Sequence, residues 1–409
     1  MKVNIFHFVG LPFLFLFIGI SLFVFRHVIN MPGQILSYAT PFIIIVLITI
    51  FKTTKYKNLK IDILLYIYFV YIIVSSILNY NNISFSMIIT HFTMILIIYI
   101  SINQFFNKRI DKNIQLIFNY FSLGLIILFV VIMAKGYYYE TESGVLRLTT
   151  DVLSGNTIAR NYLLLFWISI LSIINIYNKK YLKLLYFIII FVSLYVILLT
   201  FSKSTFVITI FTLLLYLQSK YKILSFKFIL LLMFVCILII TITLNTNIYE
   251  NINLMLSNKA SFESLLTFSA RFIFWQEILE LINHNIKSFV FGYGPSSSVL
   301  VLANVYIPGE ITQAHNAIIH SMLEVGLIGT IIYNLFIYFN IKNANLLYKE
   351  GVNKDFYLFI RVIHIGLLLK GITEGAYSMI LSIEFYLIII FYLYLKIKIK
   401  QEKVIYEKL

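Results

Sequence analysis

An all-α, polytopic membrane fold of about twelve spans is predicted for this 409-residue chain by three observations. The chain is 61% hydrophobic and only 12% charged, whereas a soluble protein carries about a quarter charged residues. Apolar runs of 17 or more residues recur along its length, each able to cross a hydrocarbon core of roughly 30 Å as a helix. Lysine and arginine concentrate in every second connection between those runs. Backbone polar groups in lipid must be satisfied internally, so the runs are read as helices.

Taken in order, the runs lie at 8–25, 35–51, 61–78, 83–100, 116–134, 157–176, 182–199, 203–218, 226–244, 314–339, 356–372 and 378–396. The first, Phe8 to Phe25, is followed by "RHVINMPGQ" and a second span rather than by a small-residue cleavage site. It is therefore read as a retained helix and not a signal peptide. The connections after spans 2, 4, 6, 8 and 10, with Lys2 and the tail "KIKIKQEKVIYEKL", hold 22 of the 32 Lys and Arg. The opposite loops and their helix margins hold eight. By the positive-inside rule both termini are expected in the cytoplasm, with the chain in the cytoplasmic (inner) membrane. The net charge of +15 is thus a topology signal and a contact with anionic membrane lipid, and no nucleic-acid partner is expected. The single cysteine, Cys236, excludes an internal disulfide.

The expected organisation is nine spans over residues 1–244, an extracytoplasmic loop over 245–313, and three spans with a basic cytoplasmic tail over 314–409. A second long external loop runs from Lys135 to Asn156. Long connections are usually functional or disordered. The 245–313 loop is not low-complexity: "FESLLTFSARFIFWQEILELIN" has apolar residues at helical spacing, which predicts one or two interfacial helices feeding into span 10.

Candidate functional residues cluster at the predicted external side. Arg271, with Trp275 four residues on, reads either as an interfacial anchor or as a phosphate ligand, since its planar fork of donors matches phosphate oxygens. Gly292 and Gly294 in "FGYGPSSS" form a turn that brings backbone N–H groups toward an anion or simply reverses the chain. Lys203, in "TFSKST", is either a snorkelling hairpin lysine or a second cation for an anionic substrate. Arg160, near the start of span 6, is expected to face the bundle interior and pair with something. Arg361, His364, Lys370 and Glu374 on span 11 pose the same question, with Lys370 and Glu374 neutralising each other. In "AHNAIIHSMLEVGLIG", His315 and Asn316 open span 10, and Asn316 is a natural helix cap. His320 and Glu324 share a different face and are read as structural. No metal cluster, nucleotide loop, nucleophile elbow or cofactor motif is recognisable.

Together, "TFSKS", "ARFIFWQEIL", "FVFGYG" and "AHNAIIHSMLEVGLIG" resemble the bacterial O-antigen ligase and polymerase superfamily, best from about Asn156 to Gly329. The resemblance implies lipid-linked glycosyl transfer at the external face. The donor would be an oligosaccharide on undecaprenyl diphosphate, the other partners would be membrane lipid and polysaccharide export proteins, and no metal or other cofactor would be needed. It also maps the family's loop arginine onto Arg271 and its helix-start histidine onto His315, the expected catalytic pair; the residue chemistry agrees, with Arg271, Lys203 and Arg160 as diphosphate ligands and Asn316, Gly292 and Gly294 in support. The family's usual Ser-Arg after span 7 is Ser202-Lys203 here, and lysine supplies charge without the bidentate fork.

Within the family, polymerisation of repeat units is preferred because the chain is compact, with ligation of finished glycan to lipid A core or another acceptor as the alternative. A flippase or transporter of lipid-linked sugar, with Arg160 and Arg361 along its path, is the alternative of another class.

Overall fold

The structure, a computed structural model, describes residues 62–82, 110–135, 137–140, 146–149, 154–175, 179–200, 202–222, 269–305, 314–350, 353–375 and 382–406, with further positions between 88 and 102. The predicted spans 8–25, 35–51 and 226–244 lie outside the described residues. Eleven α-helices are described with their bounds: α1 (Ile63–Leu78), α2 (Ile110–Lys135), α3 (Gly155–Ile174), α4 (Lys180–Leu199), α5 (Lys203–Tyr221), α6 (Ser269–Asn283), α7 (Ile286–Phe291), α8 (Ser298–Val305), α9 (Ala317–Glu350), α10 (Lys354–Thr373) and α11 (Ile383–Tyr406), with a 3-10 turn at Tyr80–Asn82. Five of them, α2, α3, α4, α9 and α10, are long and apolar enough to cross a membrane.

One feature departs from an all-helical fold. Within the loop from Lys135 to Asn156, β1 (Tyr137–Glu140) pairs antiparallel with β2 (Leu146–Thr149). Three consecutive tyrosines facing "LRLT" suit a pleated ribbon better than a helix, and Leu148 is buried.

Helix ends follow the local chemistry. Asp62 caps α1 by accepting from the N–H groups of Leu64 and Leu65 at 3.0 and 3.3 Å. Ser154 caps α3 through Thr157 N–H. Two helices outrun their predicted spans. Helix α9 continues to Glu350 and α11 to Tyr406, through sequence read as a basic connection and a basic tail. Two lysines of the α11 extension are paired: Lys398 lies 2.9 Å from Asp111, and Lys396 pairs with Asp62. Lys220 lies 2.5 Å from Asp355 at the same end of the bundle.

Helix α11 forms the core of the bundle. It is buried on all sides from Phe385 to Leu395, as expected of a helix that is apolar all round. Aromatic edges pack around it, Tyr333 against Phe385 at 4.7 Å and Phe336 against Tyr392 at 5.1 Å. Polar side chains join helices where hydrocarbon offers no alternative partner. Asn340 donates to His364 Nε2 and to Ile388 O, while His364 Nδ1 lies 2.8 Å from Ile360 O. His91 bridges Tyr68 and Tyr386. In contrast, α4 turns Leu184, Phe187, Phe191 and Leu198 outward, an apolar face suited to lipid.

The segment before α9 is ordered as three short helices, α6 to α8, where one or two were expected. Helix α6 lays a stripe of Phe274, Ile278 and Ile282 onto Leu323 of α9, with Val301 and Leu302 of α8 completing a small separate core. These helices therefore sit on the first turns of α9.

Candidate functional site

The head of α9 is built around two pinned residues with His315 between them. Asn316 caps the helix as expected: its Oδ1 accepts from the N–H groups of Ile318 and Ile319 at 3.0 and 3.1 Å. Its Nδ2 donates to Ile372 O at 3.3 Å, which ties the cap to the end of α10. On the other side, both backbone groups of the fully buried Ala314 are engaged. Its C=O accepts from the Trp275 indole N–H at 2.8 Å, and its N–H donates to His320 Nδ1 at 3.4 Å. His315 itself has φ of +51°, the left-handed region. That conformation disfavours a side chain with a Cβ by roughly 1–2 kcal/mol, and such strain concentrates at functional positions.

His320 and Glu324 are buried one turn apart, with His320 Nε2 3.6 Å from Glu324 Oε1. That separation exceeds a hydrogen bond. Glu324 Oε1 instead accepts from Ser298 N–H at 3.4 Å, at the start of α8. The expected structural role of this pair thus takes a specific form: His320 holds the residue before His315, and Glu324 holds α8.

The glycine-rich turn meets α9 where that helix breaks. Gly326 has φ of +63°, so the carbonyls before it leave the helical ladder. They are taken by the turn and by α1. Tyr293 N–H donates to Leu323 O at 2.8 Å, Gly294 N–H donates to Glu324 O at 2.9 Å, and the Tyr71 hydroxyl donates to Val325 O at 2.5 Å. Gly292 N–H closes α7 through Ser288 O. A Cβ on Gly292 would lie 2.5 Å from the Glu324 backbone, and one on Gly326 would lie 2.3 Å from Val290 O. Both turn glycines therefore direct their N–H groups into the protein, and the close approach they permit is backbone to backbone.

A second cluster holds the cations. Arg160 Nε lies 2.7 Å from the buried Glu384 Oε1, and Ser382 donates to the other carboxylate oxygen at 2.9 Å. Lys370 Nζ donates to Glu374 at 2.7 Å, Thr205 Oγ1 at 2.5 Å and Ser204 Oγ at 3.0 Å. The Lys370–Glu374 pairing is thus as the sequence suggested, while the hydroxyls of "SKST" cradle Lys370 rather than Lys203. Lys203 is exposed at the first turn of α5 and forms no ion pair among the described residues. Arg160 is near enough to His320 and Lys370 to interact with both electrostatically, which connects the two clusters. Arg361 is elsewhere: it donates to Asn345 at 3.2 Å and stacks over Tyr348, toward the other end of α10.

Arg271 occupies the first turn of α6, and its side chain lies outside the described residues. One turn later Trp275, a candidate interfacial anchor by sequence, directs its N–H at the Ala314 carbonyl. The structure thus brings His315, Asn316, Gly292, Gly294 and the helix of Arg271 into one assembly, with Arg160 in the adjoining cluster and Lys203 at the bundle surface. Sequence reasoning missed Glu384 as the partner of Arg160 and Ala314 as the pinned residue. The only sequence signal for Glu384 is an isolated acid at the head of an apolar run, and a backbone contact of Ala314 leaves none.

Residues 185–334 match the family model described as O-antigen ligase. The matched stretch runs from α4 into α9 and contains Lys203, Arg271, Gly292, Gly294, His315 and Asn316, while Arg160 precedes it. No curated protein matches the chain.

Proposed function

We propose that this chain, whose residues 185–334 match the O-antigen ligase family model, is a membrane glycosyltransferase that polymerises undecaprenyl-diphosphate-linked oligosaccharide repeat units. The reaction takes place at the external face of the cytoplasmic membrane and yields surface polysaccharide. The oxygen of an acceptor hydroxyl attacks the anomeric carbon of the donor, and the bond from that carbon to the diphosphate oxygen breaks. His315 takes the proton of the attacking hydroxyl, a role suited to an imidazole as general base. The leaving diphosphate gains negative charge, which preorganised cations stabilise most strongly away from water. Arg271 is the principal ligand through its fork of donors, with Lys203 as a second cation. Arg160, already paired with Glu384, contributes through its field at longer range. A hydroxyl activated by a base needs no metal ion, so activity is expected to survive excess EDTA. A donor that reaches the site sideways from the bilayer explains a site at helix ends.

The observation that carries this reading is His315, held in a left-handed backbone conformation between two pinned residues at the head of α9. The test is glycan chain length in a strain lacking the chain, complemented with wild type or with His315→Ala. Single repeat units in the deletion and in the His315→Ala strain are expected. Long polymer accumulating on the lipid carrier would instead make the enzyme a ligase, and normal long-chain glycan with His315→Ala would remove His315 as the base.

A further inference from the structure

Two residues outside the proposed catalytic pair act on the same small piece of backbone. Trp275 stands one helical turn after Arg271, and its indole N–H donates to Ala314 O at 2.8 Å. His320 Nδ1 accepts from Ala314 N–H at 3.4 Å. The peptide groups on either side of Ala314 are therefore fixed in orientation immediately before His315. Downstream, the backbone N–H of residue 320 donates to Asn316 O at 2.8 Å in the ordinary helical ladder, so the His320 side chain holds the residue before His315 and the helix holds the residue after it. An acceptor at Nδ1 places the proton of a neutral ring on Nε2, the nitrogen that faces Glu324 at 3.6 Å. Glu324 in turn receives the first N–H of α8 and offers its backbone oxygen to Gly294.

We propose that Trp275 and His320 are positioning residues that set the imidazole of His315 relative to Arg271, acting through the Ala314 peptide. The inference rests on the reading of His315 as the base. A left-handed residue does not stay in register by its own preference, and the pinned peptide on one side with the cap on the other supplies the constraint. The indole bond also links the α6 helix to the head of α9, so it fixes the separation of the two proposed catalytic residues. A displacement of the order of 1 Å between reacting groups lowers rate by about a hundredfold with little change in ground-state binding.

The test uses the full-length chain reconstituted in bilayers. The probe is lipid-linked oligosaccharide extracted from cells that make it, varied in mole fraction so that kcat and KM separate. Trp275→Phe keeps the ring and removes only the N–H; kcat is expected to fall by about 10- to 100-fold with KM within about twofold of wild type. His320→Leu removes the acceptor for Ala314 and is expected to behave in the same way. His320→Asn places an oxygen where Nδ1 stands and is expected to recover part of the lost kcat. Wild-type kcat in Trp275→Phe, or His320→Asn no better than His320→Leu, would overturn the proposal. His315→Ala in the same assay separates the two ideas: an active His315→Ala enzyme defeats the base assignment itself. An inactive one beside a fully active Trp275→Phe defeats only the positioning.

Discussion

At the scale of a single residue, His315 combines a backbone that resists its position with a side chain suited to proton transfer. Its φ of +51° lies where glycine is comfortable and residues with a Cβ are not. His315→Gly and His315→Ala both lose the imidazole, so both are expected to be inactive. They differ in backbone: the glycine variant should be more stable than the alanine variant by about 1 kcal/mol. Thermal unfolding of the two purified variants in one detergent checks this, and equal midpoints would show that the position is not strained. The lysine that departs from the family pattern also finds its context at this scale. Lys203 is exposed beside hydroxyls that serve Lys370.

At the scale of elements, the decisive contact is between the turn at Gly292 and the kink inside α9 at Gly326. The turn at Gly292 and the break at Gly326 lie backbone against backbone, and the carbonyls freed by the break are bonded by Tyr293 N–H, Gly294 N–H and Tyr71. This junction holds α6, α7 and α8 on α9, and with them the helix of Arg271 beside the residue that precedes His315. Gly326→Ala would place a methyl group 2.3 Å from Val290 O in a left-handed conformation. Overpacking and the backbone penalty together are expected to destabilise the junction by about 3 kcal/mol. Limited proteolysis reports it: cleavage between residues 284 and 297 should speed up in the variant while the bundle helices stay resistant. Unchanged cleavage would mean that the turn does not rely on this contact.

At the scale of the whole molecule, the two ends of the bundle differ in chemistry. One end carries Lys220–Asp355, Lys396–Asp62 and Lys398–Asp111 pairs, and the other carries His315, the Arg160–Glu384 pair and the three short helices. By the positive-inside rule the lysine-rich end is expected in the cytoplasm. In a background with Cys236 replaced by serine, Lys203→Cys is therefore expected to react with a membrane-impermeant maleimide in intact spheroplasts, and Lys400→Cys only after permeabilisation. The reverse pattern would place the proposed site on the cytoplasmic side and end the external-face reading.

Much of this was legible in the sequence, and the reason differs by feature. Span positions follow from run length against the thickness of hydrocarbon, so α1 to α5, α10 and the start of α9 agree with the predicted runs to within several residues. The far ends of α9 and α11 run past their apolar runs; on α11 the reason is visible, because Lys396 and Lys398 are paired with Asp62 and Asp111 on other parts of the bundle. The Asn316 cap and the Lys370–Glu374 pair were readable because both are local, within four residues. The Tyr137–Thr149 hairpin was not, since a four-residue strand gives too short a pattern to separate from a loop.

The sequence by itself determined that the chain is an apolar helical bundle with a polar, histidine-headed helix capped by Asn316. Hydropathy, charge placement and capping are properties of neighbours along the chain. Only the tertiary structure decided which cation is paired with Glu384, which lysine the hydroxyls after α4 hold, and how Ala314 is pinned beside His315. Apart from the Ala314–His320 bond, which spans six residues, those contacts join residues 39 to more than 200 positions apart. They depend on where helices cross and on backbone groups that every residue carries alike, and no residue type announces either.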